Sequence, residues 1–282
     1  MTLDPDAFER IRKLVYQRTA IVLAEGKEYL VESRLAPVAR AHGCADVTEL
    51  CRLLDRKRES LANEVVEAMT TNETSFFRDH HPFEALKHTV LPDLIKKRAS
   101  TRKLRIWCAA CSTGQEPYSL AMLIDEHFPQ LATWKVSILG TDVSKAVLAR
   151  ARTGRYRQIE VNRGLGANTL LRYFLRDGLE WEIRTDLRRM VQFESLNLIG
   201  PWPRAEKFDV VFLRNVLIYF DQATKISILT KIRDLIADDG YMVLGGSETT
   251  PNEITSFERV PIARAGIYRM LRQRPSQSSH AR

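Results

Sequence analysis

The sequence predicts an α/β fold: a mostly parallel sheet covered by helices, a small all-helical domain in front of it, and an inserted antiparallel β subdomain. Three observations carry this. The run Leu104-Arg105-Ile106-Trp107-Cys108 is apolar and β-prone, and after Ala109, Ala110, Ser112, Thr113 and Gly114 the spacing turns helical from Glu116 to Met122. A second apolar run, Val136 to Leu139, leads to an acid, Asp142. Residues 6–70 instead keep apolar side chains at helical spacing, with no strand-like alternation.

At 282 residues and 44% apolar content the chain has room for a full-sized core and two domains. No apolar run reaches the roughly 18 to 20 residues of a membrane helix, and Met1-Thr-Leu-Asp-Pro-Asp lacks the form of a signal peptide. A cytoplasmic location without membrane insertion is expected. The net charge of +8 belongs to the part beyond residue 70, with ten arginines between Arg150 and Arg189 and a basic tail from Arg269. Such stretches suit a solvated face, an acidic protein surface or nucleic acid. Four cysteines make no disulfide framework. Cys108 and Cys111 have the spacing of a redox pair or half a zinc site, but no second pair completes a ligand set, and His80 and His81 are adjacent. No metal site is expected.

Taken in order, residues 1–70 read as the helical domain, anchored by Phe8, Ile11, Leu14 and Val15, then Leu50, Leu53 and Leu54, then Leu61, Val65, Val66 and Met69. Its Arg52 to Arg58 cluster suits a solvated face or an acidic helix. Residues 71–80 form a polar linker in which Asn72, Thr74 and Arg78 set hydrogen-bonding groups beside Phe76 and Phe77, a composition suited to a polar ligand site. Residues 81–272 hold the sheet, with Phe83 to Lys97 as an amphipathic covering helix.

The strand and helix around Gly114 come next, then a strand from Trp134 to Thr141. Strand, helix and a strand ending in an acid is the arrangement in which a carboxylate accepts two ribose hydroxyls. A nicotinamide cofactor is disfavoured, because no GxGxxG is present and Gly114 to Asp142 exceeds the roughly 20-residue spacing of that fingerprint.

Ser144 caps a helix through Arg152 that Gly154 ends. From about 153 to 194 the pattern changes to a short helix (Thr169 to Leu175), a turn at Asp177-Gly178, and alternation in Leu179 to Ile183 and Met190 to Phe193, read as an inserted helix and small antiparallel hairpin. Phe208 to Leu213 is a central buried strand ending at Arg214-Asn215. Asn197 and Asn215 each offer a donor and an acceptor to an adenine edge or a substrate, or else serve as caps and turns. Thr224 to Ile236 is a helix, Gly240 to Gly245 and Ala265 to Leu271 are strands, and residues 273–282 a polar, disordered tail.

Five stretches in this order go further: NETSFFRD at 72–79, WCAACSTGQEPYSLAM at 107–122, GTDVS at 140–144, SLNL at 195–198 and FLRNVLIYF at 212–220. Together they closely resemble the chemotaxis receptor glutamate methyltransferases, the CheR family, over nearly the whole chain. The resemblance implies a Rossmann-like class I methyltransferase sheet. It implies S-adenosylmethionine as methyl donor, S-adenosylhomocysteine as product, and glutamates on the cytoplasmic helices of a methyl-accepting chemoreceptor as acceptors. It assigns cofactor binding to Asn72, Thr74, Arg78, Glu116, Asp142, Asn197, Leu198, Leu213 and Arg214, to which the crevice position of Asn215 is added. The residue types agree: Asp142 suits the ribose diol, Glu116 the methionine ammonium, and Asn197-Leu198 the adenine. Arg78 is the candidate for orienting the acceptor carboxylate and Tyr219 for shaping the transfer pocket. The hairpin between Phe174 and Gln192 is short for gripping a receptor's C-terminal peptide, so docking through the helical domain is expected, by a monomer and without nucleic acid. A catalytically silent cofactor-binding regulator and an RNA methyltransferase are the alternatives.

Overall fold

The computed structural model describes residues 3–55, 59–203 and 206–271. Four helices come first: α1 (Pro5–Thr19), α2 (Glu28–Ala41), α3 (Val47–Leu54) and α4 (Glu59–Met69). Asp4 caps α1 and Asp46 caps α3, each accepting a backbone N–H of the first turn. Ile11, Val15, Val31, Leu35, Leu50, Leu61 and Val65 are fully buried in their shared core, as helical spacing requires. The Arg52 to Arg58 cluster lies largely outside the described residues, as does the tail at 273–282.

Residues 71–80 carry no helix or strand. The covering helix then starts at His81, two residues before the predicted Phe83, as α5 (His81–Ala85), continues through a π turn (Leu86–Val90) and ends as α6 (Leu91–Lys97). Pro92 accounts for the irregularity, since it has no N–H to give the preceding turn.

The remaining elements are β1 (Lys103–Ala109), α7 (Gln115–His127), β2 (Lys135–Asp142), α8 (Lys145–Thr153), β3 (Arg155–Arg157), α9 (Gln158–Val161), α10 (Ala167–Tyr173), β4 (Phe174–Asp177), β5 (Glu180–Ile183), α11 (Thr185–Arg189), β6 (Val191–Ser195), β7 (Phe208–Leu213), α12 (Gln222–Leu235), β8 (Ile236–Leu244), β9 (Phe257–Arg259) and β10 (Gly266–Met270). The main sheet has seven strands in the order β6-β2-β1-β7-β8-β10-β9, parallel from β6 to β8 and antiparallel at β10 and β9. Alternate residues of its central strands feed opposite layers. Ile106, Cys108, Val210 and Phe212 pack with α5 to α8, while Trp107, Ala109, Val211 and Leu213 pack with α12. Both faces are covered, which is why β7 reads as an apolar run broken only by Asp209.

The insertion departs from the predicted hairpin. It is a three-stranded antiparallel sheet, β3-β5-β4, in which Arg155 to Arg157 supply the third strand. Met190 to Phe193 do not belong to it: β6 joins the main sheet parallel to β2, pairing Val191 with Ile138. A half-buried edge strand and a hairpin strand share one alternation, so the pattern alone does not choose between them. Short β9 was not anticipated.

Candidate active site

The C-terminal ends of β1, β2 and β7 open onto one cleft, where an open α/β sheet places its ligands. After β1 the backbone takes positive φ at Ala110 (55°), Ser112 (51°) and Gly114 (91°) before α7 begins. A Cβ on Gly114 would meet Ala151, Phe193 and the Tyr156 hydroxyl at 3.0–3.2 Å, so this turn depends on glycine for both φ and space.

Asp142, at the end of β2, accepts Ser112 N–H at 2.9 Å and Ser144 N–H at 3.0 Å. One carboxylate thus fixes the loops after β1 and β2, and a carboxylate's four acceptor positions leave two for hydroxyls. Burial raises its pKa above the ordinary aspartate value, against the lowering effect of those N–H donors.

At the end of β7, Arg214 is almost wholly buried; it pairs with Glu116 at 2.8 Å and with Asp79 at 2.7 Å, and also donates to the Arg78 carbonyl at 2.9 Å. Its Nε is buried without a partner. Glu116 is held above the ordinary carboxylate range by burial, with Arg214 pulling the other way. Asn215 sits at φ 56°, and its N–H and that of Val216 donate to buried Glu248 at 2.7 and 2.9 Å. Sequence reading missed Glu248, whose role appears only when a loop 33 residues on folds back.

The linker forms another wall. Ser112 Oγ donates to the Asn72 carbonyl at 2.9 Å, Ser119 Oγ accepts Phe77 N–H at 2.9 Å, and Arg78 Nη1 donates to the Glu73 carbonyl at 2.8 Å. The helical domain completes the enclosure. Glu67, on α4, accepts Ser144 Oγ at 2.5 Å and Ala146 N–H at 2.8 Å, Asn197 Nδ2 donates to the Arg18 carbonyl at 2.7 Å, and Val22 N–H donates to the Tyr219 carbonyl at 2.9 Å.

Asn72, Thr74, Arg78, Glu116, Asp142, Asn197, Leu198, Arg214, Asn215 and Tyr219 all line this cleft. Leu213 does not: its side chain is fully buried in the layer facing α12, on the same face of β7 as Val211. One expected partnership is altered as well. The Asn197 amide is committed to the Arg18 carbonyl and to Ile199 N–H, so it offers little to an adenine edge. Glu116 pairs with Arg214 through one carboxylate oxygen, which leaves the other to face a cation in the cleft. Thr19, Ile21, Thr70 and Thr71 also line the cleft, although nothing in their local sequence signals it; tertiary packing of α1 and α4 brings them there.

Cys111 lines the cleft and Cys108 lies behind it, both free and buried, and burial raises both thiols well above their ordinary pKa. They are small apolar packing groups rather than thiolates. Among the described residues no cluster of three His, Cys, Asp or Glu could hold a metal ion, and no helix is long and apolar enough to cross a membrane. The residues present fit an adenosyl sulfonium: a buried carboxylate with free acceptor positions for a diol, a second buried carboxylate for a cation, and walls of small side chains.

Two family models cover most of the chain: the CheR methyltransferase all-alpha domain over residues 6–70 and the CheR methyltransferase SAM binding domain over residues 72–265. The chain belongs to the CheR methyltransferase family. Curated relatives agree. Chemotaxis protein methyltransferase 1 of Pseudomonas aeruginosa is 43% identical over 267 residues, spanning 93% of this chain and 97% of the relative. Chemotaxis protein methyltransferase Cher2 of Pseudomonas putida is 40% identical over 266 residues, 93% and 96%. This CheR chain is accordingly an S-adenosylmethionine-dependent chemotaxis protein methyltransferase with a class I sheet.

Several arginines in and beside the CheR insertion pair with neighbouring acids. Arg150 pairs with Glu160, Arg155 with Asp177 and Glu182, Arg163 with Glu73, Arg184 with Asp186 and Arg188 with Glu182. The ten arginines between Arg150 and Arg189 meet only five acids within the same stretch, so it stays basic while these pairs hold part of its charge in place.

Proposed function

We propose that this CheR chain, acting as a cytoplasmic monomer, methylates glutamate side chains on the cytoplasmic helices of chemoreceptors and leaves glutamyl methyl esters. The observation that carries the reading is the convergence of Arg78, Tyr219, Glu116 and Asp142 on a single cleft at the sheet's C-terminal edge. We assign residues 1–70 to receptor docking, residues 71–80 to the cofactor wall and residues 81–272 to catalysis, with the insertion ancillary.

Bound S-adenosylmethionine supplies an electrophilic methyl on a sulfonium. A glutamate carboxylate is ionised at neutral pH, so the protein has no proton to remove. Its task is alignment, worth about 7–11 kcal/mol in well-oriented systems. Asp142 would hold the ribose hydroxyls and Glu116 the amino group of the bound cofactor. Arg78 has one side-chain hydrogen bond among the described residues, to the Glu73 carbonyl, which leaves guanidinium donors to orient the acceptor carboxylate. Tyr219 narrows the approach.

The deciding experiment is transfer of radiolabelled methyl to membranes bearing chemoreceptors, followed by mild alkali. Release of the label as methanol identifies a carboxyl ester. Alkali-stable label, or label confined to added RNA, refutes the reading. Arg78→Ala should lower kcat about 100-fold, the scale of one lost charge-assisted contact. An unchanged kcat with cofactor bound removes Arg78 from the reaction.

A further inference from the structure

The loop after β6 forms the cleft wall at Leu196, Asn197 and Leu198. It carries no helix or strand, yet its carbonyls are held by one side chain from the layer behind it. Lys231, on α12, donates its Nζ to three consecutive carbonyls, those of Leu198 at 3.2 Å, Ile199 at 3.2 Å and Gly200 at 2.8 Å. The same ammonium lies 5.2 Å from the centroid of the Trp202 ring. Trp202 Nε1 and Gly200 N–H in turn donate to the Asn197 carbonyl at 3.3 and 3.1 Å.

Three carbonyl dipoles aimed at one point repel each other unless a cation sits there, and an ammonium has three donors, all of them used. Among the described residues Lys231 makes no ion pair with a carboxylate, and burial acts to lower its pKa. A partly buried lysine held against that cost, with no acid to pair with, is bound by the loop itself.

We propose that Lys231 is a positioning residue for cofactor binding, its ammonium clamping the 198–200 carbonyls so that Leu196 to Leu198 keep the shape against which the adenosine end of S-adenosylmethionine rests. The proposal rests on the reading that this loop borders the cofactor. Lys231 itself is absent from the cleft lining, so it acts through the loop and not by contact.

The test compares Lys231→Met, which keeps the stem and removes every donor, with Lys231→Gln, which keeps two N–H donors without charge. Initial rates and calorimetric titration with S-adenosylmethionine are read alongside the thermal midpoint. The KM and Kd for the cofactor should rise about tenfold in Lys231→Met and less in Lys231→Gln, with kcat at saturating cofactor within about twofold of the parent. A lysine that merely stabilised the fold would lower the midpoint and leave the KM of the folded fraction unchanged. Leu198→Ala separates the two ideas. If it weakens cofactor binding while both Lys231 variants bind normally, the clamp is refuted and the loop's place beside the cofactor stands. If all three variants bind normally, the assignment of the loop to the cofactor falls with it. Should Lys231→Met not fold, Lys231→Gln alone decides by the same criterion.

Discussion

Asp142 illustrates how one side chain serves fold and site together. Its carboxylate receives N–H donors from Ser112 and Ser144, so Asp142→Asn turns an amide NH2 toward a backbone donor as well as removing charge. Cofactor affinity should fall about 10- to 100-fold, the scale of a hydrogen bond to a charged group, as read by calorimetric titration. Asp142 and Glu116 share a pKa raised by burial. Between the ordinary carboxylate value and the raised one, the native state binds more protons than the unfolded chain. Stability without cofactor therefore falls as pH rises through that window. A cationic amino group favours ionised Glu116, so cofactor binding releases protons and tightens over the same window. The thermal shift produced by saturating cofactor should be larger at about pH 7 than at about pH 5, and an equal or smaller shift at the higher pH would remove Glu116 from that role.

At the level of elements, Arg98 at the end of α6 ties helix to sheet. It donates to Asp209 of β7 at 2.7 Å and in a two-pronged contact to Asp239 of β8 at 3.0 and 2.5 Å, while Asp209 also accepts Arg105 N–H at 2.8 Å. Arg98→Ala leaves Asp209 buried with no counter-charge. A loss of about 3–5 kcal/mol is expected in denaturant unfolding, with cofactor contacts untouched. None of this could be read in the sequence, where 111 residues separate Arg98 from Asp209. What could be read was local: the Ser144 cap, the αL Gly154 that ends α8, the apolar run of β7 and the acid closing β2. Partner choice for alternating strands was not, which is how β6 came to be taken for part of the hairpin. The site followed the same division. Residues in continuous motifs line the cleft. Thr19, Ile21 and Glu248 are delivered by packing and carry no such signal, while Leu213, which the resemblance assigns to the cofactor, turns its side chain into the layer facing α12.

Across the whole molecule, the helical domain meets the sheet through Glu67, Arg18 and Val22, and also through Tyr16, whose hydroxyl donates to Asp221 at 2.6 Å. Glu67 is the most consequential of these, because it binds the N-terminal end of α8 two residues after Asp142. Glu67→Ala strips an acceptor from Ser144 and Ala146. It should cost about 1–2 kcal/mol of stability and loosen cofactor binding several-fold, with kcat at saturation preserved. Equilibrium unfolding and cofactor titration of the one variant check both effects, and a stability loss with unchanged affinity would confine Glu67 to the seam.

The cleft's mixed parentage has a consequence for how firmly the protein holds together. Thr19, Ile21, Thr70 and Thr71 face the same space as Asp142 and Arg214, so a molecule seated there is mortar between two bodies as well as a reagent. A ligand at 100 times its Kd adds about 2.7 kcal/mol to the folded state. Saturating methyl donor should therefore make the enzyme a tighter object, and limited proteolysis with and without S-adenosylmethionine checks this at residues 71–80.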